Sequence, residues 1–219
     1  VEKVSLAKKI GFPLMIKAAA GGGGKGMRIV KDSASLKDAA AAAKREALSG
    51  FGDDRIFFER YIEKSRHIEV QILGDDKNVV HLGERECSIQ RRHQKIIEES
   101  PSTRLSEELR LNICEDAKRI AQAIKYTSAG TVEFLLDDKT GEYWFLEVNT
   151  RLQVEHPVTE EVTGVDIVQE QINIANKKSI SFLNNDAADL GHSFGHSIEV
   201  RIYAENPEND FLPETGEIF

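Results

Sequence analysis

Cysteine is scarce in this chain. Cys87 and Cys114 are far apart and form no CxxC pair. A disulfide framework is therefore not expected, and a reducing compartment is the default. No cluster of histidine and cysteine suits zinc. No apolar run approaches the ~20 residues of a helical membrane span, and no signal-peptide pattern is visible. Positive charge is also in short supply. Lysine and arginine number 29 against 37 acidic residues, a net charge of −8, which argues against general nucleic-acid affinity. The remaining composition, 40% hydrophobic and 30% charged, is that of a soluble globular protein. At 219 residues the chain allows one large domain or two small ones. It opens on Val1-Glu2-Lys3 without an initiator Met and stops in mid-pattern at Gly216-Glu217-Ile218-Phe219. It reads as a fragment of a longer polypeptide.

The most informative stretch runs from Glu147 to Pro157. Its alternate residues are Glu147, Asn149, Arg151, Gln153 and Glu155. Read as an extended strand, one edge carries two carboxylates, a guanidinium and two amides. That is a poor core surface and a good one for a metal, an anion and a general base. The ordinary alternative is a solvated edge strand. A second carboxylate strand, Thr131 to Leu136, precedes Glu142 to Glu147 across Asp137-Asp138-Lys139-Thr140-Gly141. Such a segment between two β-rich runs signals a hairpin. A turn centred near Lys139 and Thr140 places Glu133 opposite Glu147 or within a residue of it. Opposed carboxylates repel, and a divalent cation removes the conflict. Oxygen-only ligands favour Mg²⁺ or Mn²⁺.

The spacing predicts a helix end over 4–10, strands near 12–17, 27–30, 57–62, 67–72 and 78–82, and helices over 34–49, 106–125 and about 165–177. A last strand is expected over 197–203. The first ~60 residues form a hairpin-plus-helix unit, a candidate lid. The loop Gly21 to Gly26 formally matches GxGxxG, but a strand rather than a helix follows it. Nor is it a Walker loop, because Gly26 follows Lys25. It reads as a flap over phosphates, with Lys17 near enough to reach one, the alternative being a flexible linker. No HRD-type loop or DFG accompanies it, as a kinase would require. Arg91, Arg92, His93 and Lys95 place four potential cations in five residues. This is either a solvated basic face or an anion site with Gln90 and His93 as donors.

Four stretches together carry a family resemblance: Lys17 to Met27, Arg66 to Gln71, Glu84 to Lys95, and Glu147 to Thr159. The chain resembles the ATP-grasp region of biotin carboxylase, the ligase component of acetyl-CoA, propionyl-CoA, methylcrotonyl-CoA, pyruvate and urea carboxylases. The resemblance implies an α+β ATP-grasp fold. Residues 1–60 would be most of a small β-hairpin and helix lid. Residues 62–219 would be the first part of a larger, mixed antiparallel-sheet domain, truncated at its end. The family's N-terminal domain, and a nucleotide-binding lysine just upstream, would be absent.

The resemblance also implies an ATP-dependent C–N ligase. ATP phosphorylates bicarbonate to carboxyphosphate, and the carboxyl group passes to biotin on a carrier. By that resemblance Lys17, Gly22, Gly23, Gly24, Lys25, Gly26 and Met27 hold phosphates. Glu59, Arg60 and Ile62 meet the adenine, Leu135 packs on the base, and His67, Gln90 and His93 contact the nucleotide. Glu133, Glu147 and Asn149 surround two Mg²⁺ or Mn²⁺ sites. Lys95, Arg151, Gln153, Val154 and Glu155 hold bicarbonate, with Glu155 as general base, and Arg201 stabilises the biotin enolate. Implied partners are a biotin carboxyl carrier, a carboxyltransferase and a second copy of the full-length protein, with no nucleic acid and no membrane. The implied location is the cytoplasm, or the mitochondrial matrix in a eukaryote. The fragment alone is expected to be inactive. Competing readings are a carbamoyl-phosphate synthetase-like ligase and a piece that only binds nucleotide. The final carboxyl acceptor is not written in this sequence.

Overall fold

The computed structural model describes residues 7, 9–21, 26–91, 94–184 and 194–217. Most of the helix end expected over 4–10, and Gly22, Gly23, Gly24, Lys25 and His93, lie outside these residues. The chain divides into two compact units, Val1–Ser65 and Arg66–Phe219.

In the first unit, β1 (Leu14–Ala18) lies between β2 (Met27–Val30) and β3 (Ile56–Arg60), antiparallel to both. Strand alternation turns Leu14 and Ile16 inward, where they meet Val30 and the helix α1 (Leu36–Phe51). The helix presents Leu36, Ala43 and Ala47, a helical spacing of small side chains that lets it lie close on the sheet. It runs past the expected stop at Gly50 and closes at Gly52.

The second unit is a six-stranded sheet in the order β8-β7-β4-β5-β6-β9. Its strands are β4 (Ser65–Gly74), β5 (Val79–Arg91), β6 (Gln94–Ser100), β7 (Ser128–Asp137), β8 (Tyr143–Asn149) and β9 (Ser197–Val200). A two-stranded ribbon, β10 (Glu205–Asn206) with β11 (Leu212–Pro213), follows. The helix α2 (Glu107–Ala123) is the one the sequence expects from Ser106, whose side chain accepts from the Leu109 N–H at 3.2 Å. Its buried face, Ile113, Cys114, Ala117 and Ala121, packs on Ile68, Val70 and Ile72 of β4 and Val132, Phe134 and Leu136 of β7. Each fully buried Ile or Val in that layer contributes about 1.5–3 kcal/mol of transfer free energy. The helices α3 (His156–Thr163) and α4 (Ile167–Ala175) follow β8. Ile167 and Ile174 of α4 pack with Leu73, Leu82 and Ala129 in a separate apolar cluster.

Two glycines make this sheet possible. Gly83 has φ +81 and sits in a bulge where Val70 pairs with Glu84 but Ile72 pairs with His81. A glycine in the left-handed region suits such a bulge. Gly74 ends β4 where the chain passes close to Tyr126. A Cβ on Gly74 would lie 2.1 Å from the Tyr126 carbonyl oxygen. That contact is with backbone, so a side chain cannot simply rotate away. Gly74→Ala is therefore expected to lower unfolding free energy by about 1–3 kcal/mol. The measurement is the urea midpoint at unchanged m-value, and a midpoint equal to the parent's would refute the close approach.

Candidate functional site

Along β4 and β7 the sheet face opposite α2 changes character from one end to the other. Leu73 and Ala129 belong to the apolar cluster with α4. Two residues on, Gln71 and Thr131 are buried polar groups, and next come Glu69 and Glu133, also buried. His67 follows on β4 and Leu135 on β7, both half-buried. Strand periodicity alone places these residues on one face.

Arg85 of β5 fills the middle of that face with no exposed surface. Nε donates to Glu69 at 3.1 Å, Nη1 to Gln71 at 2.8 Å and Thr159 at 3.1 Å, and Nη2 to Thr131 at 3.0 Å and Gln153 at 2.9 Å. All five guanidinium N–H groups are thus used.

Lys95 of β6 forms a second centre. Its Nζ contacts Glu69 Oε1, Glu133 Oε1 at 2.9 Å and Glu155 Oε1 at 2.7 Å. An ammonium has three donors, and here each faces a carboxylate. Glu133 is further engaged: Oε1 accepts from Asn149 at 2.7 Å and Gln153 at 2.9 Å, and Oε2 lies 2.7 Å from His67 Nε2. Burial pushes the Glu133 carboxyl up, but the His67 hydrogen bond and the Lys95 ammonium outweigh it and hold it down at about 2. Burial likewise pushes Glu155 up, and Lys95 brings it below the usual carboxylate range. Both groups are ionised at neutral pH.

Beyond Glu155 stands Arg201, with Nη2 2.8 Å from Glu155 Oε2 and Nε 2.7 Å from Glu98 Oε1. Burial raises the Glu98 pKa, with the Arg201 charge opposing the rise.

The β7–β8 register pairs Glu133 with Glu147 and Thr131 with Asn149, as the hairpin reading expects. The donors suit a hard cation: a carboxylate and an amide on β8 beside a carboxylate on β7. Glu147 is exposed and forms no ion pair among the described residues. His67, Glu69 and Glu133, and separately Glu69, Cys87 and Glu155, also bring ligand atoms within 4.8 Å of one another. Lys95 supplies the positive charge among those carboxylates.

One expectation needs correction. The strand expected through Glu155 ends at Asn149, and α3 begins at His156. Pro157 cannot donate to a strand ladder and fits the first turn of a helix. Arg151 therefore does not share a strand face with Glu155. It is exposed, with its guanidinium 3.3 Å from the Leu152 carbonyl and 3.4 Å from Asn149 Oδ1. Val154 is exposed as well, while Gln153 and Glu155 turn inward. Of the basic run, Arg91 at the end of β5 turns to Glu205 and the Phe211 ring, while Lys95 on β6 turns to the carboxylates. Gln90 donates to the Cys87 carbonyl at 2.8 Å.

In the first unit Lys17 pairs with Glu59 at 2.5 Å. Gly26 is a turn residue before β2 and Met27 begins that strand, Arg60 is exposed at the end of β3, and Ile62 is half-buried after it. The sequence reading gave no role to Arg85, Glu69, Gln71, Thr131, Thr159 or Glu98. The available signal was the alternation His67, Glu69, Gln71 against Ile68, Val70, Ile72. Polar alternation fits a solvated face equally well, and only the tertiary fold buries it.

Comparison with known proteins places this geometry. The family model described as the carbamoyl-phosphate synthase L chain, ATP binding domain, matches residues 1–183. Biotin carboxylase of Nostoc is 52% identical over 218 residues, covering 99% of this chain and 48% of that protein. The human mitochondrial propionyl-CoA carboxylase alpha chain is 52% identical over 219 residues, covering 99% of this chain and 29% of that protein. The chain thus spans about half, or less, of the length of these curated relatives. A crystal structure of a biotin carboxylase–β-γ-ATP complex from Campylobacter jejuni superposes with a TM-score of 0.87 at 49% identity, covering 96% of this chain and 46% of that one. The biotin carboxylase domain dimer of Hydrogenobacter thermophilus 2-oxoglutarate carboxylase, in complex with MgADP, ADP and bicarbonate, gives 0.88 at 46% identity, with 97% and 46% covered. With so much of its length inside one family model, the chain belongs to the carbamoyl-phosphate synthase L chain ATP-binding domain family.

Proposed function

We propose that the protein containing this chain carboxylates carrier-bound biotin, using ATP and bicarbonate. The observation that carries the reading is the Lys95 ammonium ringed by Glu69, Glu133 and Glu155, with Arg201 bound to the far side of Glu155. A base, an anion-binding cation and a second cation for developing charge stand in sequence within hydrogen-bond reach. The nucleotide and bicarbonate named for the solved relatives support it.

In this reading Lys95, Arg151, Gln153 and the Val154 backbone hold bicarbonate. Glu155, ionised and already hydrogen-bonded, takes its proton. The deprotonated oxygen attacks the terminal phosphorus of ATP, the bond to ADP breaks, and carboxyphosphate forms. Arg201 then stabilises the biotin oxygen as the ureido nitrogen becomes nucleophilic. Glu133, Glu147 and Asn149 are the residues that would hold Mg²⁺ or Mn²⁺, whose charge offsets that of the phosphates. Phosphate-binding roles go to Lys17, the Gly22–Gly26 loop and Met27. Glu59, Arg60, Ile62, His67, Gln90, His93 and Leu135 are assigned to the rest of the nucleotide. Residues 1–60 would be the lid, and 62–219 the beginning of the larger domain. A carrier, a carboxyltransferase and a second copy of the full-length protein are its proposed partners. The proposed setting is the cytoplasm or mitochondrial matrix; among the described residues no helix is long and apolar enough to cross a membrane.

Three outcomes test this reading in the protein with its flanking segments. Glu155→Gln should lower bicarbonate-dependent ATP cleavage about 10²–10⁴-fold, with or without biotin, whereas Arg201→Ala should spare slow ATP cleavage and suppress biotin carboxylation. Steady-state kinetics of both half-reactions decide, and near-parental biotin carboxylation by Glu155→Gln would remove Glu155 as the base.

Glu147→Gln should raise the Mg²⁺ concentration needed for half-maximal ATP cleavage while leaving circular dichroism and the melting temperature unchanged. An unaltered Mg²⁺ dependence would remove Glu147 from the metal site.

Backbone amides around Gly21–Gly26 should gain hydrogen-exchange protection on adding Mg²⁺-ATP, because backbone N–H groups there are assigned to phosphate oxygens. Equal protection with and without nucleotide would count against that assignment.

A further inference from the structure

Glu98 has no part in the chemistry above, yet it is among the most enclosed charged side chains of the second unit, with no exposure. It lies on β6 directly opposite Glu199 of β9. Its Oε1 accepts from Arg201 Nε at 2.7 Å. Its Oε2 is buried without a hydrogen-bond partner, as is Oε2 of Glu199. The only ion pair it makes among the described residues is with Arg201. Glu155, by contrast, shares itself between Lys95 at 2.7 Å and Arg201 at 2.8 Å. One guanidinium is therefore held by two carboxylates of different standing.

We infer that Glu98 is a positioning residue for Arg201, holding its Nε throughout the cycle, while Glu155 holds Nη2 only until Glu155 takes up a proton. The inference rests on the proposed roles of Glu155 and Arg201. When the O–H bond of bicarbonate breaks, the proton bonds to a Glu155 oxygen and the carboxylate charge is lost. The Arg201–Glu155 contact then changes from an ion pair to a hydrogen bond between a cation and a neutral acid, and loses the attraction of the second charge. Nη2 becomes available to the substrate oxygen on which charge next develops. Nε stays with Glu98, because Glu98 has no proton to receive from substrate and Arg201 is its one ion-pair partner among the described residues. Completion of the first half-reaction thus frees the group that serves the second, and Glu98 keeps that group in place meanwhile. An arginine without such a tether has many rotamers to sample. Glu199 agrees with this division: burial, then the neighbouring Glu98 charge, raise its pKa. Of the two opposed carboxylates, Glu98 is the one with the guanidinium directly on it.

The test uses the protein with its flanking segments and compares Glu98→Ala, Glu98→Gln, Arg201→Ala and the Glu98→Ala/Arg201→Ala double variant. Two rates are read: bicarbonate-dependent ATP cleavage without biotin, and biotin carboxylation. Glu98→Ala should lower kcat for biotin carboxylation by about 10- to 100-fold, the scale of a misplaced reacting group. Its biotin-independent ATP cleavage and KM for bicarbonate should stay within about twofold of the parent. Glu98→Gln keeps one acceptor oxygen for Nε and should lose less; being nearly isosteric, it decides the matter if Glu98→Ala does not fold. The double variant should be no worse than Arg201→Ala alone, since Glu98 acts through that arginine. Parental biotin carboxylation by both Glu98 variants, equal loss of both rates, or additive losses in the double variant would each overturn the inference. If Arg201→Ala itself carboxylates biotin normally, the proposed role of Arg201 fails and this inference with it. A defective Arg201→Ala beside a normal Glu98→Ala and Glu98→Gln defeats the inference alone.

Discussion

A guanidinium with no exposed surface has to find a partner for every donor and at least one counter-charge, or the fold loses several kcal/mol. Arg85 meets that demand with Glu69 and Gln71 of β4, Thr131 of β7, Gln153 of the segment after β8, and Thr159 of α3. Satisfying one side chain therefore fixes the relative positions of two strands, a connecting segment and a helix. The candidate site inherits its geometry from this arrangement. Glu69 gives Oε2 to Arg85 and Oε1 to Lys95. Gln153 gives its oxygen to Arg85 and its amide to Glu133. Both residues join the structural centre to the chemical one. Removing Arg85 would leave Glu69 Oε2 buried without its guanidinium partner, and removal of one buried partner typically costs about 3–5 kcal/mol.

Charge balance shows what such a site can accept. Arg85, Lys95 and Arg201 are three cations; Glu69, Glu98, Glu133 and Glu155 are four carboxylates linked to them. Glu147 and Glu199 add two more acidic groups at the edges. A surplus of carboxylates disfavours an anion and invites a cation. Bicarbonate and nucleotide phosphates are both anions, so a divalent ion on the Glu133 and Glu147 side is what reconciles the donor set with the proposed substrates. Glu133 and Glu147, the ligands proposed for that ion, are a cross-strand pair, so the ladder itself fixes their spacing.

Local features of the sequence were legible. The start of α2 at Ser106 and the Glu133–Glu147 register are set by interactions within a few residues or by one short turn. The family motifs marked side chains that the fold gathers, since Lys95, Glu133, Gln153, Glu155 and Arg201 stand in recognisable runs and contact one another in space. Long-range partners were not legible. Arg85 reads as one charge in Glu84-Arg85-Glu86, and its burial depends on segments up to 74 residues away. The end of β8 at Asn149 was missed because polar alternation continues past it. The helix start at His156, with Pro157 in its first turn, overrides the alternation. Arg91 and Lys95 are near neighbours in the sequence, and only the fold turns them to different partners.

The parity of the pleat explains why the charged groups converge at all. On an unbroken strand, residues an odd number apart face opposite sides. Leu82 and Arg85 are three apart, yet Leu82 packs with Leu73 and Ala129 while Arg85 bonds Gln71 and Thr131 on that same face. The bulge at Gly83 supplies the missing half-period. Lys95 and Glu98 are three apart as well, and both reach the Glu155–Arg201 pair. Between them β6 shifts register, so that Ile97 pairs with Ile89 but Lys95 with Gln90. On β8 a third shift lets Phe145 meet Phe134, ring edge to face, while Glu147 pairs with Glu133. Each irregularity lies where an apolar stretch meets a charged one. A regular sheet would send half of these groups into the α2 core. Bulges locally weaken the ladder, and here they allow one sheet to present a hydrophobic layer to a helix while gathering carboxylates and cations on its other side.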